Sequence, residues 1–436
     1  MHVCRGWRQV VYTSPLRLDL RILCTPTTPV RKNLGIWPAL PICVYYPDQQ
    51  KRNNESNEDN IVTALEQADR VCYVELHVTG SELEKISTVM RDPFPVLTSL
   101  RIMLEHRGTA LPLPVDFLGG CAPRLRSIQL HGIPFPALPT FLLTTSDLVG
   151  LYLDKIPRTG YISPEEMVVG LAALPRLRTF HIGFQLATPH PVRRHQPPVT
   201  RTVLPSLTYF YFKGASEYLE DLVSRIDAPH LDQIDISYLN QLVDFQVPQL
   251  PMFIDRSVSS KGTPLRYARV GFYNHLVTIR KYRHAHNSPP EPHHDSTNIF
   301  CHGIDWQVWH IAQVVSHFSA TLSKVVHLNL RVEAWDSIQL EGTDDVEWLH
   351  LLHRFPTVQT LHVCHRLAGH IALALEHIAW ETVAEVLPSL DLIYLAGQPV
   401  SSIEKFVAAR QLSGRPVTVI DKEEEFYQRV KSQVSE

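Results

Sequence analysis

Nine residues of one form recur along the chain. Ala122–Leu130 reads APRLRSIQL and Leu174–Ile182 reads LPRLRTFHI. Leu204–Phe212 (LPSLTYFYF), Ala228–Ile236 (APHLDQIDI), Phe355–Val363 (FPTVQTLHV) and Leu387–Leu395 (LPSLDLIYL) follow the same plan. The shared skeleton is Pro-x-Leu-x-x-φ-x-φ, with φ apolar. Pro95–Ile102 fits it, and Ser146–Leu153 fits without the proline. The φ-x-φ alternation has period two, so it predicts a strand with both φ side chains on one face. The proline lies just ahead of that strand, where its missing N–H removes no ladder bond.

Between the strands the apolar spacing becomes helical. Ser163–Pro175 offers Ser163 as N-cap, Pro164 at the first helical position and Glu166 to close a capping box. Ser216–Ile226 places Leu219, Leu222, Val223 and Ile226 on one helical face. Ser81 with Glu84, and Ser401 with Glu404, stand at capping-box spacing, and Gly414 supplies a helix stop. Copies beginning at 95, 123, 146, 175, 205 and 229 are 28, 23, 29, 30 and 24 residues apart. Those periods and the Leu-x-x-φ-x-φ skeleton predict an α/β fold of leucine-rich-repeat type. Strand and helix cannot each bury an apolar face alone, so stacked copies share a core in an irregular solenoid. Its parallel sheet would curve along the concave side, with the helices outside. A doubly wound α/β domain is the competing architecture, but no Gly-rich phosphate loop follows any strand.

Later in the chain the copies become irregular. Strands are expected over Arg266–Tyr273 and Val325–Val332, and a helix around Trp306–Phe318. Three polar stretches interrupt the pattern. Residues 47–60 read as a flexible polar linker, Thr188–Arg201 as a surface loop, and 283–298 as a Pro/His-rich insertion. The expected organisation is a connector over 1–46, the linker, repeats over 61–422 and a charged tail over 423–436.

Lys plus Arg number 41 against 44 acids, a net charge of −3, which argues against nucleic-acid binding by counterion release. No polybasic run points to a membrane surface, and no apolar run reaches the ~20 residues of a membrane helix. Seven scattered cysteines without a Cys-x-x-Cys pair read as buried free thiols in a reducing compartment, cytoplasmic or nuclear. The Arg-rich, acid-poor start also suits a mitochondrial presequence, as the lesser reading.

Val3–Cys24 (VCRGWRQVVYTSPLRLDLRILC), Ile36–Ile42 and Asp69–Thr79 resemble fungal F-box-like proteins of mushroom-forming species, in which degenerate leucine-rich repeats follow an F-box. The resemblance implies that the opening residues form the last F-box helix, a short helical remnant packed through Val3, Cys4, Trp7 and Val10. It also implies a Skp-type adaptor and a cullin scaffold as partners, and a ubiquitin-ligase subunit that recognises a target. The first two F-box helices have no counterpart, so adaptor docking is the weak link of that expectation.

In a repeat strand the residues between the φ positions face away from the core. Alignment puts Arg101, Gln129, Tyr152, His181, Tyr211, Asp235, His362 and Tyr394 in one row of a concave partner surface. Tyr209 lies in a second row with Ser99, Ser127, Gly150, Thr179, Gln233, Thr360 and Leu392. Tyr, His and Arg suit protein interfaces, so the expected partner is a target protein of unknown identity. No catalytic, cofactor or metal set emerges. His284, His286, His293, His294 and Asp295 cluster without metal-site spacing, and neither a nucleophile elbow nor a phosphate-loop motif occurs. The expectation is a non-enzymatic interaction module. Its alternatives are a repeat scaffold without a ligase role, and an α/β metal enzyme using the His-rich insertion.

Overall fold

The computed structural model describes residues 6, 20–25, 27–36, 39–46, 54–105, 111–186, 200–239, 247–258, 266–273, 276–282, 295–300, 304–318, 322–332, 345–378, 382–383, 385–395 and 403–420. The chain is α/β and divides into two compact units, with the division falling between residues 214 and 232.

The first unit holds β1 (Leu20–Leu23), β2 (Ile42–Tyr46), β3 (Val71–Val78), β4 (Ser99–Leu104), β5 (Ser127–His131), β6 (Gly150–Ile156) and β7 (Thr179–Phe184). A short β8 (Thr202–Val203) precedes β9 (Tyr209–Gly214), and β8 pairs in parallel with β10 (Ile226–Asp227). Strands β1 to β7 and then β9 lie side by side in chain order, every neighbour parallel. The leucine of each corner explains the order. Leu97, Leu125, Leu148, Leu177 and Leu207 are fully buried, as are the φ pairs that follow them. Each corner also hydrogen-bonds to the next. The Thr98 carbonyl accepts from the Arg126 and Ser127 N–H groups, Arg126 from Val149 and Gly150, Val149 from Arg178 and Thr179, and Arg178 from Thr208 and Tyr209. One backbone device therefore sets both spacing and register.

Ser163 caps the helix Pro164–Ala172 with Glu166 closing the box, as its sequence requires. An earlier helix differs. It runs Gly80–Val89 and is capped by Thr79 with Glu82, so the Ser81/Glu84 assignment is corrected. Buried Glu82 also accepts from the Tyr46 hydroxyl at 3.2 Å, a tertiary bond that ties the cap to β2. In Ser216–Ser224, Leu219, Leu222 and Val223 are buried, but Ile226 has left the helix for β10.

The second unit holds β11 (Gln233–Leu239), β12 (Tyr267–Tyr273), β13 (Leu276–Tyr282), β14 (Asp295–Phe300), β15 (His327–Val332), β16 (Thr360–Val363), β17 (Leu392–Leu395) and β18 (Thr418–Ile420). Their spatial order is β11-β14-β13-β12-β15-β16-β17-β18. The corner device returns here. Arg266 accepts from Val326 and His327, Val326 from Gln359 and Thr360, and Gln359 from Asp391 and Leu392. Strand β13 runs antiparallel to both β12 and β14, so the expectation of a wholly parallel sheet is corrected.

Residues 295–298, read from the sequence as insertion, belong to β14, and 283–294 lie outside the described residues. Residues 54–60 of the expected linker open the helix Asn54–Leu65, and the expected connector contains β1, β2 and the helix Val30–Ile36. The helix Glu404–Leu412 starts at Ile403 without a side-chain cap, while Ser401 lies outside the described residues. Gly414, at φ +72°, ends that helix as expected.

Candidate functional site

Strand register decides which side chains share the face turned away from the buried φ residues. In the first unit Tyr45, Glu75, Arg101, Gln129, Tyr152, His181 and Tyr211 occupy seven consecutive strands in direct register. All are half-buried. A flanking row holds Cys43, Tyr73, Ser99, Ser127, Gly150, Thr179 and Tyr209; on the other flank His77, Met103, His131 and Asp154 are in register, and Gly183 pairs with Lys213 past the register shift between Leu153 and Ile156.

These rows are joined by specific contacts. The His181 and Tyr211 rings stack at 3.9 Å, 20° from parallel, and Tyr152 tilts toward His181 at 6.3 Å. Both oxygens of Asp154 face imidazoles. His131 Nδ1 lies 2.9 Å from Oδ2, and His181 Nε2 lies 3.7 Å from Oδ1, beyond hydrogen-bond length. Burial opposes ionisation of Asp154, but the neighbouring imidazoles outweigh it and hold the carboxyl below its usual range. Two glycines make the arrangement possible. A Cβ on Gly183 would stand 2.8 Å from Asp154 Oδ1, and one on Gly150 would stand 2.7 Å from the Tyr152 ring. At the β3 end, Glu75 accepts from the Tyr73 hydroxyl at 2.8 Å and pairs with Arg101 at 3.2 Å. Burial, followed by Glu75, pushes the Tyr73 phenol up to about 12.

In the second unit the corresponding row is Asp235, Ser296, Arg280, Arg269, Asn329, His362, Tyr394 and Ile420. His362 stacks on Tyr394 at 4.4 Å and 5°, and Tyr267 on His327 at 4.4 Å and 11°. Burial, aided by Arg266, lowers the His327 pKa. Asp235 accepts from Gln233 Nε2 at 3.0 Å.

Of the surface residues expected from sequence, Arg101, Gln129, Tyr152, His181 and Tyr211 share one row of the first unit, with Tyr209 beside it. Asp235, His362 and Tyr394 share one row of the second. Val3, Cys4, Trp7 and Val10 lie outside the described residues, as do His284, His286, His293 and His294. Sequence reading missed Glu75, His131, Asp154, Gly183 and both arginines of the β12/β13 pair. The φ-x-φ alternation carried one residue further would have found His131 and Asp154.

Among the described residues no group of three or more His, Cys, Asp or Glu side chains could hold a metal ion. No described helix is long and apolar enough to cross a membrane. Cys24 and Cys43 are buried free thiols, whereas Cys121 is exposed, which corrects the expectation of uniformly buried cysteines.

No family model and no curated protein matches the chain. Among solved structures, the leucine-rich repeat-containing protein LegL7 from Legionella pneumophila is similar over 92% of this chain and 99% of its own, at 11% identity. Its TM-score is 0.28, at which the likeness carries no argument about function.

Proposed function

We propose that the chain is a non-enzymatic interaction scaffold, an irregular leucine-rich-repeat solenoid that grips a partner protein on its open sheet faces. The observation that carries this reading is the in-register row Arg101, Gln129, Tyr152, His181 and Tyr211. Stacking of His181 on Tyr211, and of Tyr152 over Gly150, fixes these rings before any partner arrives. Pre-ordered aromatic side chains lose little rotamer freedom on binding, which favours association. Tyr and Arg at the centre of a patch are the residue types that carry most binding energy.

The test is quantitative affinity purification of the full chain against Tyr152→Ser/Tyr211→Ser. A Leu143→Ser control alters an exposed apolar residue away from the strands. The expected result is a partner set retained by wild type and by the control and lost from the double variant, with unchanged thermal unfolding. The same set recovered with all three proteins overturns the reading.

The finer reading, a target-recognising subunit of an F-box-type ubiquitin ligase, is supported by the resemblance of Val3–Cys24 to such proteins. It expects a Skp-type adaptor to co-purify with the chain. Failure to recover the adaptor leaves the repeat scaffold without a ligase role.

A further inference from the structure

We infer that Cys43 and Cys72 form a site of reversible oxidation, two thiols on neighbouring strands that a small disulfide oxidant joins into a β2–β3 cross-link. This goes beyond the reading of the open faces as partner surfaces and does not depend on it. Strands β2 and β3 start in parallel register at Ile42 and Val71, but Cys43 then pairs with Tyr73. Cys72 is therefore the extra residue of a β-bulge, and two residues of β3 oppose one of β2. A regular strand would send Cys72 and Tyr73 to opposite faces. The bulge instead turns Cys72 toward β2, where its Sγ lies 3.8 Å from Cys43 Sγ and donates to the Ile42 carbonyl at 3.4 Å. The Cys72 carbonyl is held from the other side by the Thr98 N–H and hydroxyl, both at 2.9 Å. Neighbouring strands stand about 4.8 Å apart, inside the roughly 4.4–6.8 Å between Cα atoms that a disulfide bridges. The backbone already has the separation the bond needs, and side-chain rotation closes the gap between the sulfurs.

Exposure sets the order of events. Cys72 is half-buried, whereas Cys43 is 3% exposed. The Cys72 thiolate meets the oxidant, represented by glutathione disulfide, and attacks one of its sulfurs. That step breaks the glutathione S–S bond, forms a mixed disulfide on Cys72 and releases one glutathione. Cys43, already at contact distance, then attacks the Cys72 sulfur and releases the second glutathione. Two electrons pass from the cysteine pair to glutathione disulfide, and the two thiol protons end on the two released glutathiones. An excess of thiol reductant runs the same steps backwards. The bond joins residues 29 apart in sequence, which constrains the unfolded chain and raises the unfolding temperature. It also pins together the strands that carry Tyr45 and Glu75, at one end of the first unit's open row.

Trypsin can read the bond directly, because Lys51, Arg52 and Arg70 separate the two cysteines. The reduced full chain is incubated with glutathione disulfide at pH 8, quenched by alkylation and digested without reductant. The expected product is a disulfide joining the peptide that carries Cys43 to the one that carries Cys72. It should come from the monomer band of a non-reducing gel and disappear on adding dithiothreitol. The oxidised chain should unfold several degrees above the reduced chain. Cys43→Ser should stall at a mixed disulfide of Cys72 with glutathione. Cys72→Ser should give neither the cross-link nor the thermal shift, and Cys121→Ser should behave as wild type does. If either of the first two variants fails to fold, the wild-type peptide map decides alone. Three results overturn the inference: glutathione retained on Cys72 of the wild-type chain, Cys72 joined to a cysteine other than Cys43, or both thiols still alkylated after exposed Cys121 has reacted.

Discussion

Glu220 offers a quantitative test of how the second unit balances burial against hydrogen bonding. Its two carboxylate oxygens accept from the backbone N–H groups of Gln249, at 2.7 Å, and Leu250, at 2.9 Å. These donors open the helix Gln249–Val258, so the side chain caps an element well separated in sequence. Burial nevertheless dominates, raising the pKa from 4.5 to about 7 against the two backbone bonds. Burial, followed by the Glu220 charge, also pushes the Tyr238 phenol well up.

Between those two pKa values the folded chain holds more protons than the unfolded chain, so stability falls as pH rises through that window. A shift of this size corresponds to about 3 kcal/mol. In a unit of roughly 200 residues it equals an unfolding-temperature change of about 6 to 12 °C. Glu220→Gln removes the titration while keeping the shape. Scanning calorimetry from pH 4 to pH 8 should show the variant near wild type at the acid end and more stable by about that amount at the alkaline end. A variant that loses stability relative to wild type as pH rises would mean that the two N–H bonds outweigh burial, and would refute the argument.

Two further outcomes follow from the packing and the thiols. Phe180 is fully buried and stacks on Phe210 at 5.5 Å, so Phe180→Ala should cost about 3–5 kcal/mol in urea unfolding. Exposed Leu143→Ala should stay within about 0.5 kcal/mol, and equal losses at both positions would contradict the assignment of the core face. Burial raises the Cys24 thiol to about 12. Maleimide labelling at pH 8, resolved by mass spectrometry, should therefore modify exposed Cys121 quickly and Cys24 only after denaturation; comparable rates in the native chain would contradict that burial.

The repeat strands were legible because their signal is local. Leu97, Leu100 and Ile102 write the corner and the φ pair within six residues, and the same six-residue device recurs at Leu125, Leu148, Leu177 and Leu207. Caps were less legible because two candidates overlapped. Thr79/Glu82 and Ser81/Glu84 both have capping-box spacing, and the Tyr46 bond to Glu82 belongs to a different strand. The β13–β14 pair was missed for another reason. Val277 and Ile279 alternate as a strand should and are buried, but the adjacent histidines and prolines drew the reading toward an insertion. An antiparallel excursion also breaks the repeat period that had identified the other strands.

The candidate surface divides along the same line between local and tertiary information. Which residues alternate outward follows from period two, so the row from Arg101 to Tyr211 could be written down from the alignment. What joins that row could not. His131 and His181 meet around Asp154 because β5, β6 and β7 are neighbours, and Gly183 leaves the space that the carboxylate fills. The opposition of Arg269 and Arg280 required knowing that β13 reverses direction, since a parallel strand would have placed a different residue there. Chemistry on a repeat face is set by pairs across strands. A one-residue slip would turn each of those side chains into the core, so burial of the φ residues is what holds the functional register in place.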